Sequence, residues 1–299
     1  MPDRLLPHLR VLFLVAAAGF GWFGLRGRFG EIGEALGQTS VGGVLAALVL
    51  VLLGLGATGF AWLRIMACLG VGLPLRDGLA TFFVGQLGKY IPGSVWSLGA
   101  QAQMAGRHVV PPRATVAAGL VFLGYHLVTG VVVGLTVVLL GGLEAPWPSW
   151  LSGLGLLVAL ASLTSPVVEL VTVRLARRQA VVTLPDTGVV LGLMTFAWAA
   201  YSSALVLLEP DLPWPDVTAY GAAFALAYAV GVVVVVAPAG VGAREAVFVL
   251  LLAPVTTVAG ATALALLARA LHTVADGLMA ALAWSVARRT RAAARELEG

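Results

Sequence analysis

Long apolar runs recur along the whole chain, and this hydropathy pattern constrains the fold more than any other feature of the sequence. The chain has 299 residues, of which 60% are apolar and only 11% are charged. Too few polar side chains remain to cover a water-soluble surface. A helix needs about 20 residues to cross a bilayer, and we predict spanning helices near residues 10 to 26, 41 to 66, 114 to 142, 150 to 173, 186 to 208 and 257 to 286.

Two further apolar segments, residues 78 to 106 and 218 to 253, are each interrupted near the middle. The interruptions are Pro92-Gly93 and Pro238-Ala239-Gly240. Proline lacks a backbone donor and clashes with the preceding turn, and glycine ends helices at little cost. Each segment is therefore predicted to form two short helices joined by a non-helical tip. The predicted fold is an all-α polytopic membrane protein with about six full transmembrane helices and two re-entrant broken hairpins.

The placement of arginine supports this topology, because short cytoplasmic loops carry an excess of basic residues. If the N-terminus is cytoplasmic and both hairpins return to their own side, only Arg26 and Arg28 lie outside. We therefore predict a multi-pass protein of the cytoplasmic (cell) membrane with both termini, including the basic tail 287–299, in the cytoplasm. The arginines then on the cytoplasmic side are Arg4, Arg10, Arg64, Arg76, Arg107, Arg113, Arg174, Arg177, Arg178, Arg288, Arg289, Arg291 and Arg295.

The order of the elements also predicts an inverted repeat within a single membrane domain, residues 1–299. Residues 10–142 and 150–286 both read as helix, helix, broken hairpin, helix. Gly85 lies seven residues before Pro92, and Gly231 lies seven residues before Pro238. Three intervening spans would make the second copy enter the membrane from the opposite face. Inverted repeats with discontinuous helices are typical of transporters.

Three stretches of the sequence are "GQLGKYIPGSVW", "APAGVGAREAVFVLLL" and "ARALHTVADGL". Together they resemble the flippase-like transmembrane family that forms the membrane half of lysylphosphatidylglycerol synthases. The resemblance implies lipid transport. Stand-alone members of the family often accompany glycan assembly. The soluble aminoacyl-transferase half is absent from these residues, so lysine transfer to lipid is not implied. Where family members usually place an arginine after the first Pro-Gly break, this chain has Gln101 and Gln103.

Lys89 is the first candidate binding residue. A lysine at the bilayer centre costs about 2.5 to 3.5 kcal/mol on insertion scales, so it is either functional or reaches water at the interface. Tyr90, Trp96 and Gln101 supply polar groups nearby, although Tyr90 and Trp96 also suit an interfacial aromatic belt.

Arg244 and Glu245 follow the second break, at the start of a half-helix whose free N–H groups attract anions. Arginine there can hold phosphate through two parallel hydrogen bonds. The structural alternative is a buried pair of Arg244 with Glu245 or Asp276 that only fixes the hairpin.

The last helix carries Arg269, His272 and Asp276 at spacings of three and four, which places them on one face. That face must point to the protein interior or a wet cavity. His126 reads as a core histidine, and the histidines show no metal-ligand spacing. No catalytic residue, metal or cofactor is predicted. The predicted substrate-binding residues are Lys89, Tyr90, Pro92, Gly93, Trp96, Gln101, Pro238, Gly240, Arg244, Glu245, Arg269, His272 and Asp276.

These residues favour a flippase that moves a phosphate-headed lipid across the membrane, and they do not favour an enzyme. The preferred substrate is a polyprenyl-phosphate-linked sugar. An anionic or aminoacylated phospholipid is the alternative substrate. A second hypothesis is a membrane glycosyltransferase, for which Glu31 and Glu34 are the only early carboxylates. A third is a non-transporting scaffold for glycan or lipid biosynthesis enzymes, which predicts that Lys89 and Arg244 lie apart and that each is neutralised by its own neighbour. Nucleic acid is not an expected partner.

Overall fold

A computed structural model describes residues 39–90, 96–108, 110–209, 216–234, 240 and 242–298, with residues 30, 33, 34 and 37. Within these ranges all regular secondary structure is helical, as predicted. The helices are α1 (Val41–Cys68), α2 (Leu75–Gln86), α3 (Trp96–Ala105), α4 (Pro112–Leu139), α5 (Ser149–Ser162), α6 (Ser165–Ala176), α7 (Leu184–Leu208), α8 (Val217–Val233), α9 (Ala243–Leu252) and α10 (Val258–Glu298).

Four of these helices, α1, α4, α7 and α10, are long and apolar enough to cross a membrane. The chain is therefore a multi-pass membrane protein. The predicted span near residues 10 to 26 lies outside the described residues, as do the hairpin tips with Pro92, Gly93 and Pro238. The cytoplasmic membrane and the orientation of the termini stay predictions.

The predicted span at residues 150 to 173 is not one straight helix. It consists of α5 and α6, which meet at a bend of 66°. Pro166 lies in the first turn of α6, where it supplies no N–H to continue the hydrogen bonds of α5. The hydroxyl of Thr164 instead donates to the carbonyl of Ala161 at 2.8 Å. This break was missed because the two helices together have the hydropathy of one span.

The first broken segment folds back on itself, as predicted for a hairpin. Helix α2 continues into a one-turn 3-10 helix, Leu87–Tyr90, and then packs against α3. His108, just after α3, lies 3.8 Å from the carboxylate of Asp77 in the first turn of α2. The segment therefore starts and ends at the same end of the helix bundle.

The second broken segment also folds back, but at the other end of α4. Helices α8 and α9 pack against each other, and Tyr220 near the start of α8 contacts Thr256 just before α10. Gly142, beyond the end of α4, lies beside Thr218. The first hairpin lies at the opposite end of α4, because it ends at His108, just before α4 begins at Pro112. The two hairpins therefore start from opposite ends of α4, which is the arrangement that an inverted repeat requires. The equivalence of the two halves stays a prediction.

The two matched glycines are points of close approach inside each hairpin. A Cβ on Gly85 would lie 2.3 Å from the Gln101 side chain. A Cβ on Gly231 would lie 3.1 Å from the Cβ of Arg244 and 3.6 Å from the Cα of Gly240. Gly240 itself has a φ of +70°. Small residues let helix backbones approach in membranes. These contacts hold Gln101 and Arg244 against the neighbouring helix.

Gly88 offers a sharp test of the first hairpin. A Cβ there would lie 2.6 Å from the backbone nitrogen of Ser97, where no side chain can move aside. We expect Gly88→Ala to lower the free energy of unfolding by about 2 kcal/mol or more, as overpacking does, measured by thermal unfolding in detergent. Gly99→Ala on α3 is the matched control, because nothing lies within 4 Å of its added methyl group. Equal stability of the two variants would contradict the packing of α3 on the 3-10 helix Leu87–Tyr90.

Candidate functional site

A cavity of about 190 Å³ lies between the two hairpins and the long helices α1, α4, α7 and α10. Most of its wall is apolar or aromatic, and charged groups reach it from three places. Lys89 comes from the turn after α2, Arg244 from the first turn of α9, and Asp276 from α10. The predicted binding residues of both hairpins and of the last helix therefore include members that line one cavity.

Asp276 binds two residues of the first hairpin. Its Oδ2 lies 2.6 Å from Lys89 Nζ and accepts a hydrogen bond of 2.6 Å from the hydroxyl of Tyr90. The Asp276 side chain is only 4% exposed, whereas that of Lys89 is 34% exposed. Lys89 therefore has a carboxylate partner and also reaches the open part of the site. Tyr90 acts here as a hydrogen-bond donor within the protein.

Glu245 makes two contacts that stabilise the second hairpin. Its Oε1 pairs with Arg269 Nη1 on α10 at 2.5 Å, and its Oε2 accepts from the backbone N–H of Gly242 at 2.7 Å. A carboxylate that caps the first turn satisfies a helix donor and suits the positive end of the helix dipole. The N-terminus of α9 is thus partly occupied by Glu245, so the free N–H groups predicted there are fewer than the sequence implied.

Arg244 has no carboxylate partner among the described residues. Its guanidinium carbon lies 4.4 Å from the ring centroid of Phe224 and 5.5 Å from that of Tyr228. These distances suit cation–π contacts on α8. Neither of the alternative pairs, Arg244 with Glu245 or with Asp276, forms, because those carboxylates pair with Arg269 and Lys89.

Arg269, His272 and Asp276 all line the cavity, on the helix face that their spacing predicts. Gln101 and Gly240 line it as well. Trp96 is 54% exposed and is not part of the wall.

The charges around the cavity do not balance. The described residues there supply three cations, Lys89, Arg244 and Arg269, and two carboxylates, Glu245 and Asp276. When the histidines are neutral, these five residues together carry one net positive charge. Burying an unpaired arginine in a membrane protein is costly, so the site is electrostatically suited to one negative charge.

The structure also adds residues that the sequence analysis did not assign to the site. His126 is 6% exposed, as expected of a core histidine, yet it lines the cavity beside Tyr201, Phe224 and Tyr228. Its ring stacks on Tyr228 with a centroid distance of 4.6 Å. The spacing of four between Phe224 and Tyr228 is a sequence signal for one aromatic helix face, although such pairs are common in helix cores.

The protein-family model described as the lysylphosphatidylglycerol synthase TM region matches residues 9–280 of the sequence. The chain belongs to this transmembrane family. The match covers both broken hairpins and the cavity residues on α10, and it indicates a membrane-lipid-related flippase or transporter role. A comparison with curated proteins finds no significant match.

The described residues of this lysylphosphatidylglycerol synthase transmembrane family member include no group of three or more His, Cys, Asp or Glu side chains suited to a metal ion. The side chains around the cavity offer hydrogen bonding and charge. Three basic side chains can bind an anionic group, two carboxylates hold Lys89 and Arg269 in place, and the aromatic wall accepts apolar surface.

Proposed function

We propose that this chain is a lipid flippase that carries a phosphate-headed lipid through the cavity between its two hairpins. A polyprenyl-phosphate-linked sugar is the preferred substrate. The polar head group would cross through the cavity while the hydrocarbon tail stays in the bilayer. The proposal is for transport without chemical conversion of the lipid.

The observation that carries the proposal is the guanidinium of Arg244, which lies at the cavity without a carboxylate partner among the described residues. Aromatic contact with Phe224 holds its plane but does not neutralise its charge. A phosphate group would supply the missing negative charge and two acceptors for the planar guanidinium. The Lys89 side chain is exposed enough for its ammonium group to donate to the same phosphate as well as to Asp276.

The charge balance also favours one class of lipid over another. A phosphodiester head group with one negative charge matches the single unbalanced positive charge of the site. An aminoacylated phospholipid with a net positive head group would add to that charge, and like charges in a low-dielectric site repel strongly. The cavity therefore supports an anionic substrate over an aminoacylated one.

The two hairpins provide a route for the head group. Each contributes a cation, and the hairpins start from opposite ends of α4. In transporters of this general design, one structural repeat rocks against the other around a central site. Such a movement would expose the phosphate held by Lys89 and Arg244 first to one side of the membrane and then to the other.

The other two hypotheses receive less support. Glu34 is exposed, away from the cavity, and Glu31 lies outside the described residues. A scaffold requires each cation to be neutralised by its own neighbour. Lys89 meets that requirement through Asp276, but no described carboxylate neutralises Arg244.

Head-group translocation in proteoliposomes tests the proposal. We expect the purified protein to move a fluorescent polyprenyl-phosphate sugar across the bilayer faster than empty vesicles do. A fluorescent phosphatidylglycerol and a lysine-carrying phosphatidylglycerol are the comparison lipids, and the latter should move at the rate of empty vesicles. If none of the three lipids moves faster than in empty vesicles, although the protein is monodisperse and correctly inserted, the flippase proposal is wrong.

A further inference from the structure

Four side chains in the cavity wall carry buried polar atoms that have no hydrogen-bond partner among the described residues, and one of these atoms is the hydroxyl of Tyr201. The other three atoms are Oε1 of Gln101, Nε2 of His126 and Nε2 of His272, and these three residues also line the cavity. Gln101 is only 2% exposed and His126 only 6%. Buried polar atoms in native proteins are nearly always paired. We call these three side chains the polar wall.

The chemistry of two of these atoms excludes a phosphate as their partner. Nδ1 of His272 donates to the carbonyl of Ala268 at 2.8 Å, because a carbonyl can only accept. Nε2 of the neutral ring therefore only accepts, and so does Oε1 of Gln101. The oxygens of an ionised phosphodiester are acceptors as well. The missing partner of His272 and Gln101 must be a hydrogen-bond donor.

His126 can pair with either kind of group. Its Nδ1 lies 3.3 Å from the hydroxyl of Tyr228, and either atom can donate. The choice decides whether Nε2 donates or accepts. A hydroxyl group, which does both, satisfies His126 in either tautomer.

The aromatic rings around the polar wall fit the same kind of ligand. His272 lies 5.0 Å from Tyr201 and 5.3 Å from Phe224 between ring centroids. The faces of aromatic rings carry negative charge, which attracts C–H groups made slightly positive by neighbouring oxygens. Sugars and polyols present such C–H groups together with several hydroxyls.

We propose that the polar wall binds the hydroxyl groups of a polyhydroxylated head group, while Arg244 binds the phosphate attached to it. This inference rests on the proposed function for the position of the phosphate. The hydroxyls can come from a sugar on a polyprenyl phosphate or from the glycerol head group of a phospholipid. In either case the polar wall distinguishes lipids of equal charge by their hydroxyl groups.

Two pairs of lipids with one negative charge each test this inference. The first pair is polyprenyl-phosphate glucose and polyprenyl methyl phosphate, and the second is phosphatidylglycerol and phosphatidylmethanol. We expect the protein in detergent to bind the hydroxylated member of at least one pair about tenfold more tightly, by native mass spectrometry, since each hydrogen bond to a buried acceptor contributes a factor of this order. The pair that shows the preference identifies the source of the hydroxyls.

Variants of the polar wall separate hydrogen bonding from packing. His272→Phe keeps the ring but removes the acceptor, and Gln101→Met keeps the length but removes the amide. Each should reduce the preference at least about fivefold, mainly by weakening binding of the hydroxylated lipid. His272→Gln, which retains an acceptor, should keep part of the preference. Thr115→Val is the matched control, because its hydroxyl is also buried and unpaired but does not line the cavity.

The outcomes distinguish this inference from the proposed function. If wild-type protein shows no preference in either pair, or if the preference survives in both His272→Phe and Gln101→Met, the inference is overturned. A preference in binding without any translocation in proteoliposomes supports the polar wall and contradicts the flippase. Translocation without a binding preference supports the flippase and contradicts the polar-wall inference.

Discussion

Replacing Arg244 with glutamine is expected to slow translocation of a polyprenyl-phosphate sugar by at least about thirtyfold, because loss of a charge-assisted contact in a desolvated site costs about 2 kcal/mol or more. The translocation rate of Arg244→Lys should lie between the rates of Arg244→Gln and wild type. It keeps the charge but loses the planar pair of donors and the stacking on Phe224, which a lysine does not reproduce. The measurement is the initial rate of head-group movement in proteoliposomes with equal amounts of inserted protein.

Arg289→Gln is the matched control for this prediction. Arg289 lies on α10, the same helix as Arg269, but it is exposed and outside the cavity. Translocation by this variant should equal that of wild type. If Arg244→Gln also transports at the wild-type rate, the guanidinium does not hold the phosphate and the assignment of the site fails.

The second large effect is expected from Asp276→Asn. Asp276 is the carboxylate partner of Lys89 and also accepts from Tyr90. Removing one partner of a buried ion pair leaves the other charge uncompensated and costs about 3 kcal/mol. The partial exposure of Lys89 reduces this cost, so we expect a loss of about 2 to 3 kcal/mol in the free energy of unfolding. Thermal unfolding in detergent measures it.

The double variant Lys89→Met with Asp276→Asn tests the cause of that loss. It removes both charges, so it should recover most of the stability that Asp276→Asn loses. It should not recover translocation if Lys89 contributes to phosphate binding. A double variant no more stable than Asp276→Asn alone would mean that the pairing with Lys89 does not explain the effect.

The hairpins and one face of the site were accessible to sequence reasoning because they depend on local chemistry. The Pro-Gly breaks predicted where each hairpin turns, and both segments fold back as expected. The spacing of Arg269, His272 and Asp276 identified a shared helix face, and all three residues line the cavity. Hydropathy predicted α1, α4 and α7 within a few residues, since an apolar helix and its length follow from the sequence of that segment alone. It also predicted the start of α10, but this helix continues beyond the predicted end at residue 286 to Glu298.

The pairing of charges was not accessible, because it depends on contacts between distant parts of the chain. The partner of Lys89 is 187 residues away, and Glu245 pairs with Arg269 on the next helix rather than with its neighbour Arg244. His126 was taken for a core histidine because nothing in its own segment reveals that α8 and α10 place Tyr228 and His272 on the same cavity. The bend between α5 and α6 was also missed, since Pro166 stands in a run whose hydropathy resembles an unbroken span.

The position of α10 has a mechanical consequence. This one helix carries Asp276, which holds the first hairpin through Lys89, and Arg269, which holds the second through Glu245. Moving either hairpin away from α10 therefore separates a pair of opposite charges in a medium of low dielectric constant. Under the proposed function, a phosphate bound at Lys89 would compete with Asp276 for the same cation, so the cargo itself would weaken the attachment of the first hairpin. The same lysine would then both attach the hairpin in the empty protein and coordinate the cargo.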